Sequence, residues 1–401
     1  MTANLSKDLT TLSFRARSAR EESAFCWQRH VRRYRRGVVL VLLLSALFAS
    51  AQQPALKDAL RNDFHIGVAI NYAQTFERNE RDSALIKAQF DSLSPENALK
   101  WEPIHPKPDA YNFAAADRYV EFGQQNHMWI IGHCLIWHNQ TPKWVFEGTD
   151  GKPATRDQLL ARMREHISTV VGRYKGKING WDVVNEAISD EDGSLRKSPW
   201  QTIIGDDFIE KAFQYAHEAD PAAELYYNDY SLENPKKRAG ALALLKKLKE
   251  ENIPVTAVGL QGHYAMDWPT LDQLDETITQ FAALGLKVVV TELDIDVLPQ
   301  AVQTGSAEIT LTAESQPKLD PYKDGLPDAM QKALADRYAG LFRIFLKHKD
   351  AVTRVTLWGL TDADSWKNNW PIRGRTNYPL LFDRNGKPKL AFDAVIAAAK
   401  R

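Results

Sequence analysis

Glu186 closes the apolar run of "WDVVNEAI" and Glu292 closes that of "VVVTELDI". A carboxyl group where a buried strand ends is costly unless a ligand or a reaction uses it. Two that converge can divide a hydrolysis between them, one as general acid and the other as nucleophile or base. Their neighbours suggest the division. Asp294 lies two residues past Glu292, hence on the same face of an extended strand. There it could orient His263, whose imidazole would donate to Glu292 and hold it ionised as the nucleophile. Glu186 follows Asn185 and sits near aromatic residues, where desolvation would raise its pKa and keep it protonated as the acid. Spacing along the chain leaves the stereochemistry open, because a pair ~5 to 5.5 Å apart retains configuration and one ~6.5 to 9.5 Å apart inverts it.

Other apolar runs end in the same manner, at Glu96 and Asn97, His133 and Trp137, Asn228 and Tyr230, Gln261 and His263, and Trp358. So many polar side chains at one end of apolar strands call for a polar ligand. Trp101, Trp137, Trp358, Trp366 and Trp370 fall in or beside the same segments. An indole is a flat apolar plate that suits the apolar face of a sugar ring while polar groups hold its hydroxyl rim. A metal is not expected: His133 and His138 are offset so that one strand would point them to opposite faces, and no HxH or HExxH pattern occurs.

Positioning these groups requires many short strands with a common end. The expected strands are "HIGVAI" from His65, "FDSLSPEN" from Phe90, "MWIIGHCLIW" from Met128, "GWDVVNE" from Gly180, "LYYNDY" from Leu225, "AVGLQGH" from Ala257, "KVVVTELD" from Lys287 and "RVTLWGL" from Arg354. Amphipathic stretches starting at Gln158, Asp207, Lys236, Leu271, Asp328 and Leu390 predict helices between and after them. This alternation predicts an α/β chain forming a single (β/α)8 TIM barrel over residues 52–401, with elaborated βα loops shaping a substrate cleft at the C-terminal end of the strands. Strands four and seven of such a barrel face each other across its mouth, which brings Glu186 and Glu292 together. The stretch Ile295 to Asp324 has few helix signals and reads as a long wall of that cleft.

The N-terminal region has another composition. Arg32, Arg33, Arg35 and Arg36 precede the apolar "VVLVLLLSALFA" and then Ala49-Ser50-Ala51. That order predicts a signal peptide over residues 1–51, cleaved before Gln52, with export to the periplasm or the exterior. The run is too short for the ~20 residues of a membrane span. Residues 1–51 hold nine basic side chains, Lys7 and eight arginines, and three acids, Asp8, Glu21 and Glu22; without them 42 basic and 48 acidic residues remain. A mildly acidic chain lacking a basic stripe is a poor nucleic-acid binder. Only Cys134 then remains of the two cysteines, which excludes an intramolecular disulfide and a Cys-rich metal site.

The blocks "ENALKWEPIHP", "GHCLIWHNQTPKWVF", "WDVVNEAI", "LYYNDY", "VGLQGHY", "VVVTELDI", "WGLTDADSW" and "YPLLFD" follow one another in this order. Together they resemble the family 10 glycoside hydrolases, chiefly secreted endo-1,4-β-xylanases, over essentially all of residues 52–401. The resemblance implies a (β/α)8 barrel, hydrolysis with retention, no cofactor, a xylan or xylo-oligosaccharide substrate and a monomer with no membrane attachment after cleavage of the leader. It makes Glu186 the acid/base and Glu292 the nucleophile. Glu96, Asn97 and Lys100 would hold the sugar two subsites from the cut on the non-reducing side. His133, Trp137, Asn185, Gln261, His263 and Trp358 would surround the sugar at the cut, and Asn185 would bond its 2-hydroxyl. Asn228, Tyr230 and Tyr264 would lie toward the leaving group, while Trp366 would cap the cleft where a glucose hydroxymethyl would project. Cys134 stands where the family usually has Thr, and "KNNWPIRGRTNYPLLFD" inserts Trp370, Arg373 and Arg375, leaving the distal subsites open. Arg373 or Arg375 could meet an acidic sugar substituent or simply belong to a solvated basic loop. Rival expectations are a retaining glycanase acting on both xylan and glucan, a non-catalytic xylan-binding barrel, and a metal-dependent barrel hydrolase.

Overall fold

Eight parallel strands close on themselves: β1 His65–Ile70, β2 Ser92–Pro95, β3 Trp129–Ile136, β4 Gly180–Asn185, β5 Glu224–Asp229, β6 Ala257–Leu260, β7 Lys287–Asp296 and β8 Val352–Leu357. Neighbours in sequence are neighbours in the sheet, β8 pairs with β1, and β6 pairs with β7, so no strand edge stays open. This is a (β/α)8 barrel in a computed structural model that describes residues 54–148, 150–299 and 317–400. The expected leader and residues 300–316 of the expected cleft wall lie outside those residues.

The strands are buried almost throughout, as parallel strands covered by helices must be. The covering helices are α1 Glu80–Gln89, α2 Ala114–Gln125, α3 Arg156–Arg173, α4 Phe208–Ala219, α5 Pro235–Glu250, α6 Leu271–Ala283, α7 Asp328–Lys347 and α8 Leu390–Ala399. Capping residues set several of their starts. Thr155 with Gln158 and Thr270 with Gln273 form reciprocal capping boxes, and Asn234 caps α5 just ahead of Pro235. Helices α1 and α2 went unread in the sequence. Helix α1, "ERDSALIKAQ", buries only Asp82, Ser83 and Ile86, so it carries almost no apolar stripe; α2 buries Ala116, Tyr119, Val120 and Gly123 at helical spacing, a stripe that went unread.

Two strands extend differently from their expected bounds. Glu292 lies inside β7, because the chain runs on in extended form to Asp296. A short strand, His263–Ala265, pairs with Asp294–Asp296 and sustains the extension. His133 likewise lies within β3 instead of at its end. Both side chains are set into the barrel mouth by fixed backbone, where a loop would leave them looser.

Trp101 is a core residue, 2% exposed, and not a cleft wall. Its indole stacks on His166 of α3 with centroids 3.6 Å apart, and His105 stacks on Tyr111 at 3.8 Å. The Nδ1 atoms of His105 and His166 are 3.2 Å apart, so one ring donates and the other accepts. This stack anchors Trp101, which directly follows the segment carrying Glu96, Asn97 and Lys100. Burial holds the His166 pKa well below the ordinary value, with the neighbouring His105 adding to the effect. The unfolded chain therefore binds a proton near pH 6.5 that the native state refuses. Stability from this group is present above pH 6.5 and is lost as pH falls toward the depressed native pKa, at about 1.4 kcal/mol per pH unit. In urea titrations between pH 7 and 5, His166→Gln is expected to lose less stability than the wild type; an equal loss would exclude the linkage.

Candidate active site

Strand β4 ends at Asn185, and Glu186 takes a left-handed backbone conformation with φ of 60°. A glutamate rarely occupies that region without being held there. The hold is double: its N–H donates to the Asn228 carbonyl at 2.9 Å, and its carbonyl accepts from Arg196 Nε at 2.9 Å. The turn swings the side chain across the mouth of the barrel. There Trp137 Nε1 donates to Oε2 at 2.8 Å, while Gln261 Nε2 and Asn185 Nδ2 donate to Oε1 at 3.0 and 3.2 Å. The carboxylate is thus met by donors, with Trp137 turning its N–H edge to it, where the sequence suggested an apolar surround.

Glu292 is buried on the facing strand β7. Oε1 accepts from Asn228 Nδ2 at 2.9 Å and Oε2 lies 3.2 Å from His263 Nε2. The other ring nitrogen, His263 Nδ1, lies 3.0 Å from Asp294 Oδ1. Burial alone would depress the His263 pKa, but the Asp294 carboxylate and its hydrogen bond, together with Glu292, hold it up at about 9. Protonated at neutral pH, the ring donates from both nitrogens. Burial would raise Glu292, yet the His263 hydrogen bond and the pull of His133, His263 and Lys100 keep it below the usual carboxylate range. Asp294 is lowered in turn against its burial by Lys367, by His263 and by the Trp366 indole N–H at 2.8 Å.

His263→Ala tests this chain. The variant removes a charge and a donor while Glu292 stays buried, so the carboxylate protonates at higher pH than before. The acidic limb of kcat/KM is expected to move upward, with a larger loss at pH 5 than at pH 7. An unmoved limb would show that His263 does not set the Glu292 charge.

The two carboxylates share one hydrogen-bond network. Asn228 Nδ2 also donates to Asn185 Oδ1 at 2.9 Å, and Gln261 Nε2 reaches the same oxygen at 3.2 Å. Asn228 is fully buried and its Oδ1 accepts from Thr291 Oγ1 at 2.7 Å, so it positions Glu292 and Asn185 and is not a leaving-group contact. Gly259 makes room for it, since a Cβ there would lie 2.3 Å from Asn228 Oδ1. Tyr264, 2% exposed, is also withdrawn from the cleft, with its hydroxyl donating to Glu233. Tyr230 stays at the surface of the site, donating to Asp190 and accepting from Arg196.

The remaining expected residues line the mouth. Trp358 sets its ring edge-on to His133, with centroids 5.3 Å apart. Lys100 Nζ donates to Asn97 Oδ1 at 3.1 Å and lies 5.1 Å from the centre of the Trp137 ring. Glu96 borders a small pocket with Asn71, Gln74, Trp358, Asp364 and Trp366. Burial raises its pKa, Asp364 adds to the rise, and Lys100 opposes it. Arg375 is buried 3.8 Å from Asp296 and bonded to the Pro299 carbonyl, which removes it as a contact for an acidic substituent, whereas Arg373 is exposed. Cys134 is buried and free.

Sequence reading passed over Asp182 and Trp200. Asp182 Oδ2 lies 2.9 Å from His133 Nδ1 and fixes that ring; its signal was a lone acid inside the apolar "GWDVVNE". Trp200 Nε1 donates to the Trp137 carbonyl at 2.9 Å, and nothing local in the sequence marks it. Among the described residues no three His, Cys, Asp or Glu side chains are grouped so as to hold a metal ion.

Known proteins resemble the chain along nearly its full described length. Residues 55–398 match the family model described as glycosyl hydrolase family 10. The chain is 46% identical over 358 residues to endo-1,4-beta-xylanase A of Xylanibacter ruminicola, covering 89% of this chain and 97% of that one. It is 43% identical over 369 residues to a beta-1,4-xylanase of Dictyoglomus thermophilum, again covering 89% and 97%. Among solved structures, a GH10 endoxylanase retrieved from sugarcane soil metagenome superposes with a TM-score of 0.82 at 46% identity, covering 86% of this chain and 99% of that chain.

Proposed function

The chain belongs to glycosyl hydrolase family 10, and from that membership we propose its function: an endo-1,4-β-xylanase that hydrolyses internal β-1,4-xylosidic bonds of xylan by double displacement with retention. The observation that carries the mechanism is the shared network, in which Asn185, Asn228 and Gln261 join Glu186 to a Glu292 that His263 keeps ionised.

In the first step a Glu292 oxygen attacks the anomeric carbon. The glycosidic C–O bond breaks, its electron pair leaves with the departing oxygen, and Glu186 supplies that oxygen with a proton. The product is a glycosyl ester on Glu292. In the second step Glu186, now a carboxylate, takes a proton from water, the water oxygen attacks the anomeric carbon, and the ester bond breaks to restore Glu292. The donors around Glu186 suit a group that alternates between acid and base, since they support the charged form it holds between the two steps. Asn185 contacts Glu186 and is linked to Glu292 through Asn228, where a bond to the 2-hydroxyl would tighten in the transition state.

Export through the leader of residues 1–51 and action as a monomer complete the proposal; the arginines ahead of the apolar run and the A-x-A site support the leader. Rates on xylan and on carboxymethylcellulose test the substrate. Faster release of reducing ends from xylan is expected; faster cleavage of the glucan would overturn the preference, and binding of xylan with no cleavage would overturn the activity.

A further inference from the structure

One of the two bonds that hold Glu186 in its left-handed conformation comes from a side chain that grips more than that residue. Arg196 donates from Nε to the Glu186 carbonyl at 2.9 Å and from Nη2 to the Ile188 carbonyl at 3.1 Å, while its own backbone N–H donates to the Ala187 carbonyl at 2.7 Å. Three successive carbonyls beyond β4 thus bond to one arginine. The chain turns back between them, with Ile188 paired to Leu195, so Arg196 closes the loop that Glu186 opens. A planar guanidinium with fixed N–H directions can set a backbone in this way, where a flexible ammonium cannot.

Arg196 is itself fixed by a balanced group of charges. Its Nη2 donates to the Tyr230 hydroxyl at 3.0 Å and lies 3.4 Å from Asp190 Oδ2, which accepts from that hydroxyl. Asp190 Oδ1 in turn accepts from Lys237 Nζ at 2.7 Å, and Lys237 reaches Asp229 Oδ1 at 2.9 Å. The Lys237 side chain is 2% exposed and Asp229 is fully buried; each would be costly alone, and each finds its counter-charge here. Asp229 returns to the same loop, with Oδ2 accepting from the Ile188 N–H at 3.3 Å. Helix α5, which carries Lys237, also meets this loop closely, since a Cβ on Gly240 would lie 1.9 Å from the Gly193 carbonyl oxygen.

We propose that Arg196 is a positioning residue for the acid/base: through the Glu186 carbonyl it sets the direction of that carboxyl group, and Asp190, Lys237 and Asp229 lock Arg196 in place. The proposal rests on the retaining xylanase reading above. The bond runs to the Glu186 backbone, while the carboxylate has its own donors in Trp137, Gln261 and Asn185. Loss of the guanidinium therefore leaves those donors and Glu292 in place and releases the turn alone. A left-handed glutamate freed of one of its two backbone bonds relaxes toward commoner conformations. The proton then reaches the departing oxygen from a poorer angle. Such a defect shows where the leaving group needs a proton and vanishes where it needs none.

Aryl β-xylobiosides that differ only in the leaving group test it, because dinitrophenolate departs without a proton and phenolate leaves far more slowly without one. In Arg196→Gln, kcat/KM for the phenyl glycoside is expected to fall roughly tenfold, a part of what a general acid contributes, while kcat/KM for the dinitrophenyl glycoside holds within about twofold. On the dinitrophenyl glycoside kcat and KM should fall together, since release of the glycosyl ester still needs Glu186 as base. Arg196→Lys keeps the charge without the planar fork and is expected to stay near Arg196→Gln. Asp190→Asn should shift the phenyl-to-dinitrophenyl ratio in the same direction by less, and an unchanged ratio there removes the charge cluster from the proposal. An equal fall of kcat/KM on both glycosides in Arg196→Gln, as damage to the fold would give, overturns the positioning role, and so does no fall on either. Full recovery in Arg196→Lys would assign the effect to charge and overturn it as well. Failure of the underlying reading has its own signature: wild-type protein would then release neither phenol.

Discussion

Glu292→Ala is expected to lower kcat on xylan by about four orders of magnitude or more, the scale on which loss of a nucleophile is felt. The structure gives this carboxylate no substitute. It is buried, His263 and Asn228 both aim their donors at it, and the other carboxylate close to the bond, Glu186, is already committed across the network. Removing it leaves a small cavity beside the anomeric carbon that an azide ion can enter. With an activated aryl xylobioside, azide is expected to restore turnover and to give the α-glycosyl azide, because attack comes from the face that Glu292 occupied. Recovery of the β-glycosyl azide would place the nucleophile elsewhere.

Glu186→Ala is expected to behave differently. On xylan, whose leaving oxygen needs a proton, kcat should drop by about a thousandfold. On an activated aryl glycoside the first step needs little help, so the glycosyl-enzyme forms and then waits for a water that nothing deprotonates. A burst of aryl alcohol followed by slow turnover, and a protein mass increased by the glycosyl group, would register that wait. Azide should then release the intermediate as the β-glycosyl azide. If the two variants exchanged their azide products, the roles of Glu186 and Glu292 would have to be exchanged as well.

How much of this was legible in the sequence depended on whether the signal was local. The barrel strands are short buried runs, and their pattern survives in any window; so does the rule that chemistry gathers where they end. Helix α1 was missed because its buried face is polar, whereas α2 was missed although Ala116, Tyr119, Val120 and Gly123 recur at helical spacing. Glu186, Glu292, His263 and Asp294 could be grouped because two of them share a strand, Glu186 follows the strand facing it and His263 follows the strand beside it. Asn228 and Tyr264 were misplaced for the opposite reason. At the end of a strand a side chain points into the cleft or into the packing around it according to the twist and the next strand, and Gly259 on β6 is what opens a niche for Asn228. Trp101 shows the limit for aromatics. Its loop position suggested a sugar platform, but the partner that buries it, His166, belongs to a helix far along the chain.

Retention is the claim on which the pairing of Glu186 with Glu292 depends most directly, and the first anomer released decides it. Proton NMR of xylohexaose hydrolysis, recorded before mutarotation sets in, is predicted to show the β-anomer of the new reducing end appearing first and the α-anomer growing from it later. The α-anomer appearing first would mean direct attack by water, and would contradict a glycosyl ester on Glu292.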